Sequence, residues 1–353
     1  MSTMERFCLL LLWLPLMLPS AMSQCPPSAN IEPCSCYTSS MLGLVLNCYE
    51  INTEEELRSI LHDPSFPVTS FGEIKITHCG MESLGADLFG QLSADRVYLE
   101  SFPNLKSLDP ELLAGPMSDH VRVIHISKNP LLEVADLRLF ENVKRTDLMV
   151  TMIENNIKTV TPPSKPSNIY SLNLGRNAIA SVTGDMLRNL LGVKYLYFYE
   201  NGLTSIEHGA LTALDSLADL QLHQNALGPV LPAGAVAVSA SLTSMTLDNN
   251  GISEIMPEAI TGFSPSAYLS LWSNNLKSFP EETFRPMLER LAEGGGRLDV
   301  YGNFELPCDC SIVWLFLTPG VLDAVDRYYC EDFVPIADID SGALIQSCSL
   351  ERR

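Results

Sequence analysis

The stretch Leu196-Tyr197-Phe198-Tyr199-Glu200-Asn201-Gly202-Leu203 decides how this chain is read. Its order of apolar, any, apolar, any, any, asparagine, any, leucine returns along most of the 353 residues. The sixth position is filled in turn by Cys79, Phe102, Asn129, Asn155, Asn177, Asn201, Asn225, Asn250, Asn274 and Asn303, at gaps of 23, 27, 26, 22, 24, 24, 25, 24 and 29 residues. Working outward, an alternation such as Leu220 and Leu222 marks a short strand that turns one set of side chains inward and the other outward. Two residues later the chain has to bend, which leaves backbone groups inside the coil with no water to bond. Such groups are costly unless paired. An asparagine amide carries both donors and an acceptor, so a buried column of them can serve the backbone of its own turn and of the next.

A second register runs in phase with the first. Phe89, Leu187, Leu211, Ile260 and Phe284 follow the ladder position by ten residues, and Leu113, Phe140 and Val236 follow it by eleven, after insertions at Pro103, Pro130 and Pro229. Two columns in phase at this period read as leucine-rich repeats. One coil cannot bury its apolar side alone, so stability is shared between stacked neighbours and the two ends need caps. The expected fold is an α/β solenoid, with a curved parallel sheet on the concave side and short helices, turns and 3-10 segments on the convex side. Its ten strands lie at 74–76, 97–99, 124–126, 150–152, 172–174, 196–198, 220–222, 245–247, 269–271 and 298–300. At ~4.8 Å per strand they span about 43 Å of concave surface. Residues 53–61 read as a helix capped by Asn52 or Thr53, with acids in its first turn. The Gly294-Gly295-Gly296 run reads as a loop before the last turn.

Residues 1–23 read as a secretory signal, with Arg6, an apolar run from Phe7 to Leu18, and a small-residue end at Ala21-Met22-Ser23. The apolar run is shorter than the ~20 residues a spanning helix needs. A secreted protein with no membrane span is expected. Of ten cysteines, Cys8 falls in the leader and eight form two clusters: Cys25, Cys34, Cys36, Cys48, and Cys308, Cys310, Cys330, Cys348. In an oxidising compartment such clusters are disulfide frameworks, and the C-x-C spacing without a C-x-x-C partner counts against zinc. Spacing alone leaves three pairings open in each cluster. Cys79 sits in the ladder column, where a free thiol behaves as a small hydrophobe and is expected to be inert. The divisions are therefore a signal over 1–23, an N-terminal cap over 24–70, about ten repeats over 71–305 and a C-terminal cap over 306–353.

Cys25-Pro-Pro, Cys34-Ser-Cys36 and Cys48 stand before the repeats, and Leu306-Pro-Cys308-Asp-Cys310, Val313-Trp-Leu315, Cys330 and Cys348 after them. With these, the chain resembles extracellular leucine-rich-repeat proteins with cysteine-flanked caps, over nearly the whole mature length. The resemblance implies pairing of first with third and second with fourth cysteine: Cys25 to Cys36, Cys34 to Cys48, Cys308 to Cys330 and Cys310 to Cys348. Departures are Cys79 and Phe102 in place of Asn, and a proline-rich convex segment from Thr161 to Pro166. Within the group, size, cap spacing and repeat style are similar to the arthropod secreted members that serve as non-catalytic subunits of luciferin monooxygenases. That likeness implies a partner-stabilising role beside a separate catalytic chain.

Function is read from the outward positions. Tyr195, Tyr197 and Tyr199 lie in one repeat, beside Asp219, Gln221 and His223, with Tyr268, Trp272 and Tyr301 further on. Tyr and Trp supply large, rigid contact area with a polar tip and are enriched at binding hot spots. These eight residues other than Asp219 are the expected protein-binding set. No catalytic motif is present: neither G-x-S-x-G, nor H-E-x-x-H, nor a phosphate-cradling glycine loop. His125 and His223 are four repeats apart, about 19 Å, too far to share a metal. No cofactor is expected. With 42 acids against 22 bases, a net charge of -20 disfavours nucleic acid and anionic membranes. No N-x-S/T sequon occurs, so no N-linked glycan is expected. The leading reading is a non-enzymatic binding protein; the rivals are recognition of a carbohydrate or lipid surface, and a hydrolase.

Overall fold

The computed structural model describes residues 25–330 and 333–351; the signal read over 1–23 and the Glu331-Asp332 pair lie outside them. Thirteen strands form one sheet in unbroken chain order: β1 (Ser35–Ser39), β2 (Gly43–Tyr49), β3 (Ser70–Thr77), β4 (Ser93–Glu100), β5 (Val123–Ser127), β6 (Leu148–Ile153), β7 (Ile169–Asn173), β8 (Tyr195–Tyr197), β9 (Asp219–Gln221), β10 (Ser244–Thr246), β11 (Tyr268–Ser270), β12 (Arg297–Asp299) and β13 (Val325–Asp326). Only β1 and β2 are antiparallel; every later neighbouring pair is parallel. The ten repeat strands stand where the alternation placed them, with Ile74, Val97, Leu172, Leu196, Leu220 and Leu298 fully inaccessible. β1 and β13 were not foreseen. They belong to the caps, where no repeat signals them, and each pairs with an edge that would otherwise be left open.

The asparagine column holds the coils together, and it does so backwards along the chain. Asn274 Nδ2 donates to Leu271 O of its own coil (2.9 Å) and Leu247 O of the preceding one (3.0 Å). Its Oδ1 accepts from Asn250 N (3.0 Å) and Ile252 N (3.1 Å), again in the preceding coil. The amides thus serve their own turn and the one before, where the sequence had suggested the one after. Asn129, Asn201, Asn250, Asn274 and Asn303 are buried; Asn155, Asn177 and Asn225 are half-buried. Cys79 is buried and unpaired among the described cysteines, its thiol donating to Thr77 O (3.3 Å).

Each bend is made by one residue in the left-handed region. Glu50, His78, Ser101, Lys128, Glu154, Arg176, Glu200, Gln224, Asn249, Ser273 and Gly302 all have φ between 53° and 78°. Apart from Glu50, which precedes Ile51, each stands directly before its ladder residue. At eight of the eleven this conformation turns the backbone N–H onto the next coil, as from Gln224 to Asp248 O (2.8 Å), so the sheet gains a bond beyond the strand's end. Nine of the eleven are neither glycine nor asparagine, so residue preference does not announce the position.

The second column is buried throughout, from Phe89 to Phe284. The convex side carries the short helices Pro116–His120 and Leu137–Phe140 and five parallel pairs of two or three residues each, such as Ser181–Val182 with Ser205–Ile206. The proline-rich segment is stapled to its neighbours, Ser164 donating to Glu141 Oε2 (2.8 Å) and Asn189 to Pro163 O (2.8 Å). Helix Glu54–Leu61 is capped by Thr53, which accepts from Glu56 N. The expected loop at Gly294–Gly296 is instead the end of a helix, Glu281–Gly294, with two acids in its first turn and Gly295 at φ 73° closing it. The glycine run stops a helix that fills the long last gap.

The disulfides are Cys25–Cys36, Cys34–Cys48, Cys308–Cys330 and Cys310–Cys348, the pairing the resemblance implied. At the C-terminal end Phe279 stacks on Phe284 (3.8 Å) and meets Tyr328 edge-on (5.3 Å). Trp314 and Tyr328 cover the last coil, their polar tips bonded to Phe279 O (3.3 Å) and Pro307 O (2.6 Å).

Candidate concave binding face

The expected site residues fall into two groups. In the centre, parallel pairing sets Tyr195 opposite Asp219 and Tyr197 opposite Gln221. Tyr195 meets Tyr170 edge-on at 5.4 Å, and Lys194 Nζ lies 6.0 Å from each ring. The Tyr197 hydroxyl donates to Asp219 Oδ2 (3.1 Å), which also accepts from Gln221 Nε2 (3.2 Å). Burial, then the neighbouring carboxylate, push the Tyr197 phenol above its ordinary pKa.

Tyr199 stacks on His223 with centroids 4.9 Å apart and planes 4° from parallel. Gly175 makes room for this. A Cβ at 175 would fall 2.4 Å from the Tyr199 ring, so the ring lies directly on the backbone of the preceding coil. Asn173 Nδ2 donates to the Tyr199 hydroxyl (3.3 Å). His223 Nδ1 sits 3.3 Å from Thr246 Oγ1, and burial lowers its pKa against the pull of Asp248 and Glu200. Asp219 thus engages Tyr197 and Gln221.

The second group lies nearer the C-terminal cap. The Tyr268 hydroxyl donates to Asp299 Oδ2 (2.6 Å), whose other oxygen accepts from Tyr301 N (3.0 Å); Asp299 is fully buried and also paired with Arg327. Trp272 is exposed at 42%, its backbone N–H held by Asp248 Oδ1 (2.9 Å), and its ring is 6.1 Å from Tyr301.

Sequence reasoning passed over several neighbours. Tyr170 joins the central row because the register shifts between Ile169 and Ser171, which hides it from simple alternation. Phe304, Tyr329 and Phe333 extend the second group, and two of these come from the cap. Towards the N-terminal end, Lys75, Tyr98, Glu100 and His125 form a mixed polar cluster: Lys75 pairs with Glu100 (3.1 Å), and Tyr98 meets His125 at 5.5 Å. The alternation of the first strands places Lys75, Tyr98 and His125 outward, so the signal was present in the sequence. His125 is pushed down by burial, opposed by Glu100. His125 and His223 lie along β5 and beyond β9, four strands apart, and form no common site.

A family model described as leucine-rich repeat matches residues 167–227. The chain is 24% identical over 310 residues to the Oplophorus-luciferin 2-monooxygenase non-catalytic subunit of Oplophorus gracilirostris, covering 86% of this chain and 82% of that one. It is 25% identical over 187 residues to human oligodendrocyte-myelin glycoprotein, covering 52% of this chain and 40% of the relative. Among solved structures, human 5T4 (trophoblast glycoprotein) aligns over 92% of this chain and 99% of that one, at 17% identity and a TM-score of 0.44. The Toll and Spatzle complex of Drosophila aligns over 82% of this chain and 46% of that one, at 16% identity and a TM-score of 0.49.

Proposed function

We propose that this chain, a leucine-rich-repeat protein related to the luciferase non-catalytic subunit, is a secreted, non-enzymatic binding protein that engages a partner protein through its concave face. The observation that carries the reading is the central ring row. Tyr170, Tyr195, Tyr199 and His223 are locked edge to face or face to face on successive coils, so a broad aromatic surface is ordered before any partner arrives. Preorganised rings lose little freedom on binding. The finer reading is an accessory subunit for a separate catalytic chain, and it is supported by the extent of similarity to a subunit described as non-catalytic.

The test is affinity capture of the secreted protein with mass spectrometry of what co-elutes, beside a Tyr195→Ala, Tyr197→Ala, Tyr199→Ala triple variant. The expected result is a partner protein captured by the wild type and lost by a variant that stays folded. A folded variant that keeps the same company would overturn the assignment of the row.

A further inference from the structure

The rim where the concave face meets the C-terminal cap carries an unbroken run of rings: Trp272 to Tyr301 (6.1 Å), Tyr301 to Tyr329 (5.7 Å) and Phe304 (6.2 Å), and Phe304 to Phe333 (5.1 Å). Trp272, Phe304 and Phe333 are exposed at 42%, 43% and 64%. Single exposed apolar residues such as Leu191 and Val230 are ordinary, whereas exposed rings in mutual contact mark an interaction site. Phe333 is also held at φ 65°. Its N–H donates to Cys330 O (2.9 Å) and the Cys330 N–H donates to Val334 O (2.9 Å), while Cys330 is bonded to Cys308. A bulky residue persists in this region only where its surroundings hold it, so the Phe333 ring is fixed in place by its turn.

The occupant follows from charge. Cations of the chain itself lie over rings along this face: Lys75 over Tyr98 (5.8 Å), Lys194 over Tyr170 and Tyr195 (6.0 Å each) and Arg327 over Tyr301 (5.2 Å). Among the described residues, none lies over Trp272, Phe304 or Phe333. Tryptophan is the ring that attracts a cation most strongly. Arg327 is matched by buried Asp299, so it adds no uncompensated positive charge to the rim. The chain as a whole carries a net charge of -20. We propose that this rim docks an arginine- or lysine-bearing segment of the partner protein, with its cations seated over the Trp272, Phe304 and Phe333 rings. The inference rests on the partner-binding reading and names the chemistry the partner presents.

The probes are a labelled peptide alternating arginine with glycine, and its glutamate counterpart, titrated against the secreted protein by fluorescence anisotropy. The arginine peptide is expected to bind, and to bind about tenfold more weakly to Trp272→Ala and to a Phe304→Ala, Phe333→Ala double variant, a loss of ordinary hot-spot size. The glutamate peptide is expected not to bind. A Glu54→Gln, Glu55→Gln, Glu56→Gln variant removes three negative charges far from the rim and is expected to shift affinity less than about threefold at physiological salt. Equal affinity of the wild type and both ring variants would overturn the proposal, leaving attraction to overall charge alone. So would binding of neutral phosphatidylcholine vesicles through Trp272 with no response to the arginine peptide. Partner capture is read separately on the tyrosine variant, so peptide failure with capture retained sinks the rim inference and leaves the concave reading standing.

Discussion

The first coils and the later ones solve the same problem by different means. From Asn129 onward a side-chain amide sits inside each bend and ties adjacent coils, while the strands from β8 to β12 shrink to three residues each. At Cys79 and Phe102 there is no amide, and there the strands lengthen: β3 and β4 have eight residues each and share seven register pairs, against three between β8 and β9. Phe102 itself is served from the next coil, its N–H donating to Asn129 Oδ1 (3.0 Å). The first coils therefore add strand pairs ahead of the core alternation, whereas the later ones add amide bonds at the bend.

This contrast can be broken by substitution. Asn225→Ala strands the N–H groups of Asn201 and Leu203, while the carbonyls of Phe198 and Leu222 each keep one donor, in the amides of Asn201 and Asn250. It is expected to cost about 3 kcal/mol, read as a lowered urea midpoint. An unchanged midpoint would mean that the column carries little. Gln224→Val places a β-branched residue at φ 55° and is expected to cost about 1–2 kcal/mol, whereas Gln224→Gly should change little. Equal destabilisation by Val and Gly would remove the left-handed bend from the account. Cys79→Ala, in the coil that relies on a long ladder, is expected to lose only about 1 kcal/mol. A loss as large as that of Asn225→Ala would erase the distinction between the two regions.

The smallest effect concerns pH. Burial holds the His223 and His125 pKa values below the ordinary imidazole value. The unfolded chain therefore binds more protons as acidity rises. The associated stability is fully present above about pH 6.5 and is lost as pH falls through the lowered folded values. Gly175→Ala forces the Tyr199 ring off the backbone and is expected to release His223 from its stack. Its imidazole should then titrate closer to the ordinary value in an NMR pH series. An unmoved titration would show that the stack does not shelter the ring.

The amide column, the strand positions and the buried second register were legible because they repeat, and a period is visible wherever stacking imposes it. The disulfide pairing was legible only through resemblance, since spacing leaves it open. β1, β13 and the Phe333 turn escaped because caps occur once and obey no period. The helix at Glu281–Gly294 is hidden because a glycine run has the same composition whether it ends a helix or forms a loop between strands. Of the concave face, the tyrosine row could be named from alternation. Its internal locking through Gly175 and Asp219, and its extension to Tyr170 and the rim, depend on register and on which coil each side chain leans against.

The most direct test is native-state hydrogen exchange on the full chain, wild type against Asn225→Ala, read at single amides. The account requires the Asn201 and Leu203 amides, both donated to Asn225 Oδ1 at 3.0 Å, to lose protection by far more than amides of β3 and β4, which rely on strand pairing. If those two amides keep their protection, or if protection falls equally along the whole stack, the amide column is not what holds the later coils together.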